Sequence, residues 1–206
     1  MSYEDKTKTI RIPFHGFYES VHDEPFDRFI ELEADHLSEE FSCGPMDAGD
    51  ALLKCIDWKG AREGYAENYA VAFLGEILGD PTALNVTLRS PREYNFSTDT
   101  LDVVIPMKVW KEMVSKVNMD DVQTLANKML EPRSGFVPFY SQNMEEWGDP
   151  ENWETPLTEM LVAVLFDQES GYDCDSFQEE YAADQDPFEV VGSHVDYPKV
   201  ESILKG

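Results

Sequence analysis

Residues 57–79 read DWKGAREGYAENYAVAFLGEILG. Asp57 offers an N-cap oxygen, Gly79 suits a left-handed C-cap, and Tyr65, Tyr69, Phe73 and Ile77 recur at every fourth position. That spacing predicts one long helix from Trp58 to about Leu78, with a single buried aromatic face. Residues 7–14, TKTIRIPF, alternate and carry β-branched side chains, which predicts a strand. Together with the segments described next, they give the class as α+β: a small antiparallel sheet packed with several helices, richer in helix than in strand.

Working outward, Pro25 sits at a favourable first helical position, and Phe26, Phe29, Ile30 and Leu32 form an apolar stripe. A helix is expected to about Leu37, then a loop over SEEFSCGP. Met46–Ile56 fits helix or strand. Leu84–Leu88, Glu93–Phe96 and the stretch TDTLDVVI read as strands. Val109–Val117 reads as an amphipathic helix, broken at Asn118 and Met119, and a further helix starts at Asp120 or Asp121 and ends near Leu130. The run Glu131, Pro132, Arg133, Ser134, Gly135 is the clearest punctuation in the chain. It divides an α+β core over 1–132 from an acidic helical region over 133–206 that can pack on the same core. Beyond it, Phe136–Tyr140 is short and aromatic, and Trp153–Phe166 reads as a helix with a strongly apolar face. Asp167–Asp186 reads as part helix and part loop, Glu189–Val191 as the start of a strand, and Lys199–Leu204 as a terminal helix.

The charge is one-sided. The net is −26 over 206 residues: −9 over residues 1–50, −5 over 51–150 and −12 over 151–206. Between Arg133 and Lys199 there is no lysine or arginine, and sixteen carboxylates run from Glu145 to Asp196. Such a surface repels nucleic acid, phosphates and anionic membrane, and attracts basic partners. Four Trp, nine Tyr and twelve Phe supply a core that an acidic disordered tail would lack. Adaptation to high salt would acidify the whole surface, whereas the middle of the chain is only mildly acidic.

Three widely spaced cysteines, Cys43, Cys55 and Cys174, form neither a disulfide framework nor a zinc knuckle, which fits a reducing cytoplasm. No apolar run has bilayer-spanning length, and the opening MSYEDKTKTIRIPF reads as polar, then strand-like, rather than as a secretory signal. His15, His22 and Asp23 offer metal-ligand types without a helical HxxxH pair, and read as loop residues. In DQESGYDCDSFQEE, Asp167 and Glu169 fit the first two ligand positions of a calcium loop. Gly171 then falls one place early and Glu179 one place late. No phosphate-cradling glycine motif and no nucleophile–base set stands out, so neither a catalytic residue nor a cofactor is assigned.

Acids three or four apart on a helix lie about 5–6 Å apart on one face, close to the spacing of phosphates along a strand. Glu31, Asp35 and Glu39 follow this spacing after Glu24 and Asp27, and Glu151, Glu154 and Glu159 lie near it. The expected partner-binding residues are Glu145, Glu146, Asp149, Glu151, Glu154, Asp173, Asp175, Glu179 and Glu180. Trp147 is the expected anchor among them. The competing account of Trp147 and Trp153 is that they pin this segment to the core.

The phrases IPFHGFYES at 12–20, SPREYNFSTD at 90–99, RSGFVPFYS at 133–141 and EEWGDPENWE at 145–154 resemble acidic accessory proteins of tailed phages and prophages that have no assigned activity. The resemblance implies a bacterial host cytoplasm and a gene class that includes counter-defence factors and nucleic-acid mimics. Its motifs are not catalytic signatures, so they carry over no functional residue, and the pattern of the known acidic antirestriction families is not present. The expected function is inhibition by DNA or RNA mimicry: binding to a basic, nucleic-acid-binding host protein, with no direct contact to nucleic acid or membrane. The alternatives are a phage adaptor whose acidity serves solubility or assembly, and a divalent-metal-dependent enzyme. Oligomeric state is not legible in the sequence.

Overall fold

The computed structural model describes residues 6–14, 24–79, 87–88, 100–129, 148–171 and 173–206. The strands are β1 (Thr7–Pro13), β2 (Thr87–Leu88) and β3 (Thr100–Pro106). The helices are α1 (Glu24–Phe41), α2 (Pro45–Leu53), α3 (Trp58–Leu78), α4 (Met107–Lys116), α5 (Met119–Met129), α6 (Thr155–Ser170), α7 (Cys174–Asp184), α8 (Pro187–Val190) and α9 (Tyr197–Lys205). Two 3-10 turns, Pro150–Asn152 and Gly192–His194, complete the described elements. The fold is α+β, dominated by helix. None of the described helices is long and apolar enough to cross a membrane.

The chain forms two compact units, one of Met1–Phe14 with Glu67–Ser176, the other of His15–Ala66 with Phe177–Gly206. This partition differs from the sequence boundary at 132/133, which itself falls outside the described residues.

In the first unit the strands form an antiparallel sheet of order β1-β3-β2, with Ile10 opposite Val103 and Ile12 opposite Leu101. The two-residue period puts Ile10, Ile12, Leu101, Val103 and Ile105 on one fully buried face. α6 packs against β1 and α4 against α6 and β3, so the helix placed beyond the expected boundary belongs to the sheet core. On the other face Arg11 and its cross-strand neighbour Asp102 form a bidentate pair at 2.7 and 3.1 Å. The second half of α3 adds Tyr69, Phe73 and Ile77, with Phe73 stacked on Phe166 at 4.2 Å. Gly79 takes φ +77° just after α3, and Lys116 Nζ donates to the Ile77 carbonyl at 3.3 Å. Both features satisfy a helix C-terminus.

In the second unit α1 packs on α2 and α8, and α2 on α9. The turn before α3 pairs with the segment after the second 3-10 turn. Ile56 bridges Val195, Asp57 N–H donates to the His194 carbonyl at 2.9 Å, and Asp196 N–H to the Cys55 carbonyl at 2.9 Å. Phe26, Phe29, Leu52, Ala61, Tyr65 and Val200 are buried.

Two local expectations are corrected and one left open is resolved. α1 runs on through Ser38–Phe41 because these residues tolerate helix; the stop is Ser42 at φ +52°, with Cys43 N–H returning to the Ser38 carbonyl. Of the stretch Met46–Ile56, left open between helix and strand, the part to Leu53 is helix, started by Pro45, and Ile56 at its end makes the bridge to Val195. Glu189–Val191 is not a strand, because the Asp186 carboxylate caps Phe188 N–H at 2.8 Å and Pro187 opens α8. The expected strand Glu93–Phe96, the aromatic run Phe136–Tyr140, His15 and His22 lie outside the described residues.

Candidate functional site

The ten expected site residues have different fates. Glu145, Glu146 and Trp147 lie outside the described residues, as does the side chain of Asp175 on α7. Asp149 is exposed and caps the 3-10 turn, accepting Glu151 N–H at 2.9 Å. Glu151 is not a free carboxylate: Lys111 of α4 pairs with it at 2.7 Å. The sequence shows no base near Glu151, because its partner comes from a distant helix. Glu154 is exposed at the N-cap of α6 and makes no side-chain cap bond. Asp173 is exposed, and its two oxygens take Ser176 N–H and Ser176 Oγ–H, each at 2.8 Å, opening α7. Glu179 and Glu180 are exposed on α7. Asp149 and Asp173 thus build local structure while keeping their charge toward solvent.

Trp153 is 3% exposed, so it pins its segment to the core of the first unit. The same segment is held by Lys8, whose Nζ donates to the Glu151 carbonyl at 3.2 Å and to the Trp153 carbonyl. The Lys8 ammonium also lies 5.6 Å from the centre of the Trp110 ring. Burial holds its pKa below the ordinary lysine value. This cluster is a staple for the 3-10 turn, built from carbonyls that would otherwise need water.

The calcium-loop reading of Asp167–Glu180 does not survive the backbone. Asp167 and Glu169 lie inside α6, Gly171 ends that helix at φ +72°, and α7 begins at Cys174. Asp167 keeps a raised pKa, first from burial and then from the charge of Asp173. Asp121, Asp167 and Gln168 line a cleft of about 230 Å³, where Gln168 Nε2 donates to Asp121 at 2.9 Å. Among the described residues no group of three or more His, Cys, Asp or Glu is placed to hold a metal ion.

The most coherent anionic surface lies on α1 instead. Asp27, Glu31, Asp35 and Glu39 are all exposed, each one turn beyond the last. Among the described residues none of the four has an ion pair, and the helix carries no basic residue in its last turn. Behind this row Glu33 is buried, flanked by the Tyr197 hydroxyl and by His36 Nδ1 at 3.6 Å. The unit that holds α1 carries 20 Asp and Glu against 6 Lys and Arg, a net of −14 over 82 residues; the other carries −12 over 124. The sequence reading stressed the base-free stretch after Arg133, but folding concentrates charge in the unit that joins His15–Ala66 to Phe177–Gly206.

A groove of about 430 Å³ runs along the edge of α1, lined by Arg28, Leu32, Asp184, Asp186 and Phe188 among others. Leu32 is 49% and Phe188 44% exposed. Sequence reasoning missed this groove because its walls come from opposite ends of the chain. The available signal was a large apolar residue among acids in both EPFDRFIELEAD and DQDPFE.

No protein-family model matches the chain, and neither curated proteins nor solved structures give a match.

Proposed function

We propose that this chain is a non-enzymatic acidic binding protein of a bacterial, phage-infected cytoplasm, which occupies a nucleic-acid-binding surface of a basic host protein and blocks it. The observation that carries this reading is the row Asp27, Glu31, Asp35 and Glu39, exposed and without an ion pair among the described residues. Ordinary solvated helix faces mix signs and gain from i,i+4 pairs of opposite charge. Here three successive like-charge pairs each oppose helix formation by roughly 0.2–0.5 kcal/mol. That penalty is recovered when a cationic partner supplies the missing charge.

The magnitudes also define the mode of binding. At a rise of about 1.5 Å per residue, the row presents one charge per about 6 Å. Projected on its helix axis, a nucleic-acid strand presents one per about 3.4 Å. One row therefore has roughly half the linear charge of one strand, and mimicry needs further acids. Glu179 and Glu180, exposed on α7 within the same unit, are proposed for that role.

The test is capture from a bacterial lysate at low salt, with short duplex DNA or RNA added as competitor. The proposal expects basic proteins that are displaced by the nucleic acid and eluted by moderate salt, since screening shortens the reach of the field. Capture that survives both treatments would instead favour an adaptor with an apolar interface.

A further inference from the structure

We infer that the groove between α1 and the corner joining α7 to α8 receives a basic polypeptide segment, with one large apolar side chain seated between Leu32 and Phe188. This rests on the proposed binding of basic partners and adds where the partner is anchored and by what. Among the described residues, Leu32 and Phe188 are two of the few large hydrophobic side chains left substantially exposed, and both line this one groove. Phe188 is held in place by an edge-on contact with the buried Phe29, ring centres 5.4 Å apart, so its exposed side is presented rather than loose. A groove of about 430 Å³ lies within the range of about 300–1,000 Å³ in which proteins seat compact ligands.

Charge complementarity selects the occupant. Asp184 and Asp186 form the rim at the α7–α8 corner, and both are exposed. On α1, Asp35 lies one turn beyond Leu32 and is exposed, outside the groove lining itself. α7 ends at the groove with no basic residue in its last turn, so the partial negative charge of its C-terminus adds to the rim. An apolar floor inside a negative collar fits an aromatic or long aliphatic anchor flanked by lysine or arginine. Arg28 is the exception: it lines the groove and opposes the rest of the rim.

The experiment measures fluorescence anisotropy of two dye-labelled peptides on the full chain at low salt. One carries lysines on both sides of a tryptophan, and the other has alanine in its place. The tryptophan peptide is expected to bind about tenfold more tightly, equivalent to about 1.4 kcal/mol. Leu32→Ser, at an exposed position, should remove most of that difference while leaving the alanine peptide unchanged. Phe188→Ser should do the same, with circular dichroism reporting whether it folds. Arg28→Glu should tighten both peptides. Equal binding of the two peptides overturns the groove while leaving general binding of basic partners intact. A tryptophan preference that persists in Leu32→Ser overturns it too. If neither peptide binds, both the groove and the proposed function fall.

Discussion

The backbone N–H of Arg11, on the outer strand β1, donates to the hydroxyl of Thr158 on α6 at 2.8 Å. Thr158 is completely buried, and its own hydroxyl donates to the Thr155 carbonyl at 2.5 Å. One side chain therefore satisfies an edge-strand donor and a carbonyl in the first turn of a helix, and covers an edge that would otherwise invite pairing with another chain.

Thr158→Val keeps the shape and removes the acceptor. It should destabilise the chain by about 1–3 kcal/mol, the cost of leaving a buried donor unsatisfied. Thr158→Ser should recover most of the loss. Urea denaturation of the three proteins checks both statements, and an unchanged midpoint in the valine variant would show that the edge is closed by packing alone.

Glu31→Lys separates binding from folding. The substitution converts the repulsive pairs with Asp27 and Asp35 into attractive ones, a swing of roughly 0.4–1 kcal/mol per pair in favour of the helix, offset in part by the new like-charge pair with Arg28 three residues before it. The denaturation midpoint should rise while capture of basic proteins falls. Glu151→Gln should leave capture intact, because Lys111 already holds that carboxylate. Equal loss of capture in both variants would return the interface to the 3-10 turn.

The elements legible in the sequence were those set by local periodicity and caps. α3 begins after Asp57, whose Oδ1 takes Gly60 N–H at 3.1 Å, and ends before Gly79, as its spacing and caps require. The alternation of residues 7–14 likewise identified β1 as a strand, and TDTLDVVI was read as the strand that is β3. What escaped was every feature made by distant segments. The pairing of Lys111 with Glu151 is long-range, so a base-free stretch of sequence did not mean an unpaired surface. Residues 24–41 and 187–190 meet only after folding, which is why the groove beside Leu32 and Phe188 was invisible. The acidic row on α1 was legible as a helical spacing, but its exposure depended on which face α2 and α8 covered.

Two glycines of α3 should respond in opposite directions to alanine. A Cβ at Gly60 would lie 2.7 Å from Asp57 Oδ2 and 2.9 Å from His194 Nδ1. Asp57 is held by its cap bond to Gly60 N–H, so moving it weakens the helix start. Gly64 meets nothing closer than His194 Nε2 at 4.0 Å. Gly64→Ala should therefore gain up to about 1 kcal/mol of helix propensity. Gly60→Ala should lose stability despite the same intrinsic gain. Thermal unfolding of the two variants reads the sign directly, and a stabilised Gly60→Ala would mean that the His194 ring moves aside freely.

Tyr197 gives the second unit an alkaline limit. Burial, then the charge of Glu33 and a hydrogen bond to its carboxylate, push the phenol up to about 12 from its ordinary 10. A folded-state pKa above the unfolded one means that the folded chain binds the proton more tightly. The contribution is complete below pH 10 and is lost as pH rises through about 12. Tyr181, in the same unit, is displaced in the same direction by burial and steepens the loss. Stability measured by urea denaturation should thus fall between these two values. Tyr197→Phe should be less stable near neutral pH, where Glu33 loses its donor, and should show a shallower decline above pH 10. A variant that tracks the parent across that window would remove Tyr197 as a titrating group, and would place the alkaline loss on Tyr181 alone.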